Sequence, residues 1–277
     1  MTPRALELRD AYDAQLRGPA EVGTTETTSH DAPLARALFS PEFGFVSYTS
    51  LDGLEGAELD ELIARTIAYF RDNTEVSEFE WKTRGHDLPT DLSERLIAQG
   101  FEAQEVETVM IGEVSMLAEE RSLPAGVTLR RIGFDDDGTP QSLERTTHDV
   151  SRMIAMQDEV FGRPAHQDAA EYASLLLDQP LIKEAWIAEA DGEVISAGRL
   201  ELVSGTEFAG LWGGATREEW RGRGIYRALT AARACSAQAK GVLYLNSDST
   251  EYSRPILERA GFLAVTTTTP YIWRRSA

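Results

Sequence analysis

Gly210-Leu211-Trp212-Gly213-Gly214-Ala215-Thr216-Arg217-Glu218-Glu219-Trp220-Arg221-Gly222-Arg223-Gly224-Ile225-Tyr226-Arg227-Ala228-Leu229 reads as a strand ending near Thr216, a tight glycine-rich loop, and a helix that begins near Arg223. A helix N-terminus leaves backbone N–H groups unpaired and carries partial positive charge, so a strand–loop–helix of this kind suits a phosphate. Gly222 and Gly224 let the backbone approach an anion with no Cβ in the way. Arg221, Arg223 and Arg227 add cationic donors. A Walker loop would need Gly-Lys followed by Ser or Thr, and a dinucleotide fingerprint a third Gly at fixed spacing after an early strand; neither is present. On the loop alone, a glycine-rich connection with solvated arginines stands as an equal reading.

The rest of the chain sharpens the contrast. It has 277 residues with 46 acidic against 27 basic side chains, a net charge of −19. Its length fits one large or two ordinary domains. With 42% apolar residues it can bury a core, so wholesale disorder is excluded. The acidity speaks against nucleic acid as a ligand, since duplex binding needs concentrated Lys and Arg. It is compatible with an amine substrate, although a solvated acidic surface is the plainer reading. No apolar run is long enough to span a membrane, and Met1 to Asp10 turns acidic without an apolar core, so the expected location is cytoplasmic, with no membrane partner. The single cysteine, Cys235, cannot form an internal disulfide, and four scattered histidines offer no zinc ligand set; no metal is expected.

Working outward, Asp10–Leu16 reads as the end of a helix and Gly18–Pro33 as irregular. Phe43–Tyr48 is strand-like, Leu59, Leu62, Ile63, Ile67 and Phe70 fall at helical spacing, and Phe79–Thr83 alternates as a strand. Asp91–Gln99 is a short helix closed by Gly100, and Val106–Val114 another strand. A polar connector from Val114 to Gly126 marks a domain boundary, giving units of 1–115 and 116–277. Beyond it come a strand at Val127–Ile132, a helix at Leu143–Phe161, and strands at Ala185–Ala190 and Val194–Val203 around the hairpin dipeptide Asp191-Gly192. Then follow a strand at Thr206–Thr216, a helix at Arg223–Lys240, a strand at Val242–Asn246, a short helix at Ser253–Ala260 ended by Gly261, and strands around Phe262–Val265 and Tyr271–Trp273.

Leu96-Ile97-Ala98-Gln99-Gly100-Phe101 echoes Leu257-Glu258-Arg259-Ala260-Gly261-Phe262, each after one strand and before another. In that register Asp87 falls opposite Asp248. Shared C-cap chemistry would produce such a match by chance, but the order of elements is repeated too. Two copies of one mixed α/β fold (α+β), each a central sheet flanked by helices, is the architecture expected.

Arg221-Gly222-Arg223-Gly224-Ile225-Tyr226, followed by Arg227-Ala228-Leu229 and later by Gly261-Phe262, resembles the acetyl-CoA loop of the GNAT N-acetyltransferase superfamily, over Val127 to the C-terminus. The resemblance implies an acetyltransferase with acetyl-CoA as co-substrate. It places the pantetheine arm along Gly214, Ala215 and Thr216, and the pyrophosphate on Arg221, Gly222, Arg223, Gly224, Ile225, Tyr226 and Arg227. Two departures stand out: Tyr226 occupies a position usually Gly or Ala, and Leu257 stands where the family often has a Tyr that protonates the departing thiolate. The first half resembles a degenerate copy, because Thr49 to Glu58 puts acids and no arginine where a phosphate would sit. The whole resembles the tandem, two-unit acetyltransferases with an incomplete N-terminal unit.

The activity implied is transfer of an acetyl group to a primary amine of a small molecule by direct attack on the thioester. An amine of pKa ~10.4 is free base in only about one part in two thousand at pH 7, so a base would help. Asp248 and Glu207 are the candidate catalytic residues, each with a capping or surface role as the plainer alternative. His86, Asp87, His148 and His166 are weaker candidates for substrate contact, Cys235 reads as a packed apolar residue, and Trp212 as core. Alternatives are a non-catalytic acetyl-CoA sensor, suggested by Leu257, and acyl transfer to a peptide or protein amine. The acceptor and the oligomeric state are not legible in the sequence.

Overall fold

The computed structural model describes residues 1–22, 29–119, 121–162, 168–251 and 253–275. The elements run α1 (Pro3–Leu16), α2 (Pro19–Val22), β1 (Ser29–Asp31), β2 (Leu34–Ser40), β3 (Phe43–Ser47), α3 (Gly56–Asn73), β4 (Glu78–Arg84), α4 (Leu92–Ala98), β5 (Glu102–Ala103) and β6 (Glu107–Glu113). They continue with β7 (Val127–Arg131), α5 (Leu143–Phe161), α6 (Ala169–Asp178), β8 (Lys183–Ala190), β9 (Glu193–Leu202), β10 (Phe208–Thr216), α7 (Ile225–Ala239), β11 (Tyr244–Ser249), α8 (Arg254–Arg259) and β12 (Leu263–Arg274). The chain divides into two compact units. The first takes Met1–Met110, Asp248–Arg259 and Leu263–Ala277; the second takes Ile111–Ser247 and Ala260–Phe262.

In the first unit the strands lie in the order β1-β2-β3-β4-β12, with β5 on β12. β3 and β4 run parallel from Phe43↔Glu78 to Val46↔Trp81, joined by α3, while β12 runs antiparallel to β4 from Thr268↔Arg84 to Arg274↔Glu78. The helical spacing of Leu59, Leu62, Ile63 and Phe70 gives α3 one apolar face, and that face is buried with Val46, Phe79 and Trp81. Phe70 stacks on Phe79 at 4.2 Å between ring centroids. Gly44 makes room for this pair, since a Cβ there would fall 2.4 Å from the Phe70 ring.

In the second unit the order is β11-β10-β9-β8-β7, with β10 and β11 parallel and the rest antiparallel. Asp191 and Gly192 both take positive φ, 51° and 82°, the conformation a two-residue hairpin turn demands. Ser142 caps α5 by accepting from the Arg145 N–H, and Gly162 ends it in the left-handed region at φ 67°. Val150, Met153 and Met156 of α5 and Tyr172 and Leu176 of α6 share a core with Ile187, Ala197 and Ala215. Ala228, Ala231, Ala234 and Ala237 are all buried on α7, small residues that let the helix lie close to what it covers.

The mixed α/β class holds, and several details differ from the expectation. The stretch Gly18–Pro33 contains α2 and β1, with residues 23–28 outside those described. β2 and α6 were not expected, and the two C-terminal strands are one, β12. A boundary drawn along the chain assigns that strand to 116–277, whereas its seven-residue register with β4 puts it in the first unit. The repeat is visible in the fold: β3-α3-β4-α4 matches β10-α7-β11-α8, and Gly100 and Gly261 share φ 93°. No helix among the described residues is long and apolar enough to cross a membrane.

Candidate functional site

Strand β10 breaks its register with β9 between Trp212↔Arg199 and Ala215↔Ala197, which leaves Gly213 and Gly214 as a bulge. Gly213 adopts φ 58°, and its carbonyl accepts a 2.6 Å hydrogen bond from Nε2 of the buried Gln157. The described β10–β11 pairing ends at Gly210↔Asn246, and β10 runs on beyond it to Thr216. Ser196 holds this end of the strand, donating to the Ala215 carbonyl at 2.7 Å and lying 2.8 Å from the Thr216 hydroxyl.

After Thr216 a single 3-10 turn, Glu218–Trp220, leads into the loop. Arg217 ties the turn down through the Val194 carbonyl, 3.0 Å, and Glu159, 3.0 Å. Arg221 donates from Nε to the Thr216 carbonyl at 3.1 Å, and Arg223 stacks over Trp220 at 4.7 Å. Gly222 and Gly224 take φ 73° and 84°, and among the described residues nothing lies within 4 Å of where a Cβ on either would project. The first intrahelical bond of α7 runs from the Ala228 N–H to the Gly224 carbonyl, 3.0 Å. The N–H groups of Ile225, Tyr226 and Arg227 therefore precede the ladder, at the positive end of the helix dipole. Arg221, Arg223 and Arg227 are exposed around them, and a cleft lined by Glu119, Arg121, Ser122, Gly224 and Arg227 opens there. Backbone donors, positive φ glycines and guanidinium groups converge on one open place, which fits a phosphate.

Tyr226, half-buried, turns its ring inward onto the bulge: a Cβ on Gly214 would fall 2.8 Å from both the ring edge and the hydroxyl. Arg233, two turns further along α7, is 1% exposed. Arg233 donates to the carbonyls of Leu229 and Arg199, 3.3 and 3.0 Å, and to Oγ1 of Thr230, 3.2 Å. Burial pushes its pKa down. Sequence reading missed Arg233 and Gln157; Arg233 falls two turns after Tyr226 in an alanine-rich helix, where a long cation has no surface reason to be.

The two candidate bases part company. Glu207 is exposed and sits just before β10, at the end opposite the loop. A nine-residue strand spans about 30 Å, so Glu207 is not brought to the bulge or the loop. Asp248 lies in the first unit, in a buried cluster of charge that the sequence did not announce. Its Oδ2 accepts from Nζ of Lys82 at 2.5 Å, while its Oδ1 is buried with no partner among the described residues. Lys82 also lies 3.7 Å from Glu21, which accepts from Arg84 at 2.6 Å; Arg84 in turn donates to the Tyr12 hydroxyl at 2.9 Å. Burial would depress Lys82, but Asp248 and Glu21 outweigh it and raise its pKa. Burial pushes Tyr12 up to about 12 and Glu80, on the same face of β4, up to about 7.

The other candidates fall into structural roles. Asp87 accepts from Arg17 at 2.7 Å and Tyr48 at 2.6 Å, matching Asp248 in holding a buried cation. His86 bridges Asp13, 2.8 Å, and Thr266, 2.7 Å. His148 is exposed on α5, and His166 lies outside the described residues. Cys235 is half-buried within α7. In the first unit, the turn between β3 and α3 has Ser50 bonded to Asp52 and Glu55 at the helix N-cap, with no arginine, so it does not suit a phosphate.

Residues 149–262 match the model of the acetyltransferase (GNAT) family. Among solved structures, the chain is similar to a GCN5-related N-acetyltransferase from Kribbella flavida, TM-score 0.64 and 15% identity over 99% of this chain and 96% of that one. It is similar to a GCN5-related N-acetyltransferase from Sphaerobacter thermophilus, TM-score 0.60 and 17% identity over 89% and 79%. A tandem GNAT protein from the clavulanic acid biosynthesis pathway aligns with TM-score 0.55 and 13% identity over 88% and 79%. At these identities the likeness is one of fold. No curated protein matches.

Proposed function

We propose, from the match of residues 149–262 to the acetyltransferase (GNAT) family model, that the chain transfers the acetyl group of acetyl-CoA to a primary amine of a small molecule by direct attack. The observation that carries this is the start of α7, where Gly222 and Gly224 take positive φ beside exposed arginines, one strand-end away from the Gly213–Gly214 bulge. In this reading the N–H groups from Gly222 to Arg227, with Arg221, Arg223 and Arg227, hold the pyrophosphate. Gly214, Ala215 and Thr216 line the pantetheine arm, and N–H groups at the bulge stabilise the tetrahedral oxyanion.

Of the two carboxylates, Asp248, whose Oδ1 is a buried acceptor with no donor among the described residues, is the one that substitution tests as the base. Glu207 is set aside on its position. The first unit, lacking the cationic loop, serves as a structural copy. Isothermal titration with acetyl-CoA tests the reading: one site per chain is expected, together with CoA release when a panel of primary amines is supplied. Absence of binding overturns it. Turnover on peptides but not on small amines would move the assignment to a peptide or protein amine.

A further inference from the structure

The two glycines of the β10 bulge project to opposite faces of the sheet. Gly214 lies under the Tyr226 ring of α7, whereas a Cβ on Gly213 would fall 2.9 Å from Nε2 of Gln157, 3.4 Å from Nε of Arg199 and 3.9 Å from its Nη2. Arg199 reaches this second face because strand residues alternate: its neighbour Gly198 faces Arg233 of α7, and Ala197 packs in the core with α5 and α6. Two polar groups here lack what burial normally demands. Among the described residues, Nε of Arg199 and the hydroxyl of Tyr172, which is 2% exposed, are buried with no hydrogen-bond partner. The guanidinium lies over the Tyr172 ring, 5.9 Å from its centroid. Burial raises the Tyr172 pKa, with Arg199 pulling it down and Glu201 pushing it up, so the hydroxyl sits among these charges and keeps its proton. The charges do not balance. Lys183 and Arg199 share the one carboxylate of Glu201, at 3.2 and 3.8 Å, the second too long for a hydrogen bond. Arg199, Gly213 and Gly214 are half-buried, so a solute can reach the guanidinium beside the bulge.

We propose that the amine this chain acetylates also carries a carboxylate, and that Arg199, with the Tyr172 hydroxyl as a second donor, recognises it. The inference rests on the acetyl-transfer reading above, in which the thioester lies at the bulge. A guanidinium presents paired, coplanar N–H donors that match a carboxylate, and charge-assisted bonds of this kind are about twice as strong as neutral ones. One surplus positive charge calls for one negative charge, which a carboxylate supplies and a phosphate dianion exceeds. Position restricts the substrate as much as charge does. Nε of Arg199 stands 3.4 Å from the Cβ position of Gly213, so a carboxylate held on this side chain keeps the amine of the same small molecule close to the bulge. Gln157 fixes the other wall, since its Nε2 is committed to the Gly213 carbonyl at 2.6 Å. The substrate class is therefore an amino acid or a related amino carboxylate, and a plain alkylamine leaves both buried donors without an acceptor.

The test sets α-, β- and γ-amino acids each against its carboxamide and against the aminoalkylphosphonate of the same length, reading kcat/KM with acetyl-CoA. Wild type is expected to favour at least one amino acid over its carboxamide by about tenfold or more, the worth of a hydrogen bond to a charged group. In Arg199→Ala that ratio should fall towards one, through KM rather than kcat, while the Kd for acetyl-CoA stays within about twofold. Tyr172→Phe removes one neutral donor and should lower the ratio by about 2–10-fold. A wild type that acetylates carboxamides as readily as amino acids, or that prefers the phosphonates, overturns the inference and leaves acetyl transfer intact. So does a folded Arg199→Ala that keeps the wild-type preference. A wild type that neither binds acetyl-CoA nor releases CoA with any amine overturns the underlying function instead, and this inference with it. Should Arg199→Ala fail to fold, Arg199→Lys keeps the charge and the long stem without the paired donors. Its ratio is expected to drop by about threefold or more, and an unchanged ratio refutes the role of Arg199.

Discussion

Replacing Glu80 by Gln is expected to flatten the pH dependence of the first unit's stability. On β4 the side chains of Glu80, Lys82 and Arg84 share one face, opposite Phe79 and Trp81. Burial pushes the Glu80 carboxyl from 4.5 up to about 7; Lys82 and Arg84 pull it down, and Glu21 and Asp248 push it further up. The folded chain thus holds this proton more tightly than the unfolded chain. The stabilisation is complete below the unfolded value of 4.5 and is lost as pH rises through about 7. At about 1.4 kcal/mol for each pH unit separating the two values, the full swing is about 3 kcal/mol, most of it between roughly pH 5 and pH 8. Glutamine mimics the protonated acid at every pH. Urea unfolding of both proteins from pH 5 to pH 8 should therefore show the variant gaining about 2–3 kcal/mol on wild type across that range, whatever constant offset the substitution adds. Two stability curves that stay parallel would refute the idea that burial keeps Glu80 protonated.

Three further outcomes are expected. Gly224→Glu forces a side chain onto a backbone at φ 84° and puts negative charge at the open end of α7, so calorimetry should detect no acetyl-CoA binding; tight binding would dismiss the phosphate site. Asp248→Asn should lower turnover more at pH 7 than at pH 9, where more amine is free base, and an equal loss at both would remove Asp248 from the role of base. Gly44→Ala sets a Cβ 2.4 Å from the Phe70 ring and should cost about 1–3 kcal/mol in urea unfolding without altering the acetyl-CoA Kd; a neutral result would mean that the Phe70–Phe79 stack shifts freely.

Local signals carried the elements that could be read. Ser142 and Gly162 bracket α5 through cap chemistry, Asp191-Gly192 turns the β8–β9 hairpin, and the two glycines before α7 take the positive φ that their identity suggested. What escaped was set by tertiary context. Leu34-Ala35-Arg36-Ala37-Leu38-Phe39-Ser40 is poor in β-branched residues, and it is a strand because β1 and β3 pair with it on either side. The inward turn of the Tyr226 ring depends on Gly214, at another point of the chain, and the Glu21–Lys82–Asp248 cluster is likewise assembled from distant segments. Glu207 looked close to the loop in sequence because a strand joins them, and that same strand holds them apart.

The antiparallel seam between β4 and β12 also bears on how the protein is made. Hydrogen bonds join Thr83 to Thr269 and Thr268 to Thr83, partners 186 and 185 residues apart. Such long-range closure is slow to form, because the entropy of bringing distant segments together is lost before any contact repays it. During synthesis the first unit must wait, with the edge of β4 uncovered, while the whole of the second emerges. For that interval β4 is an open template for pairing, and it alternates buried apolar residues with charge. The buried ions on its polar face make adventitious strand partners costly to accept until β12 arrives.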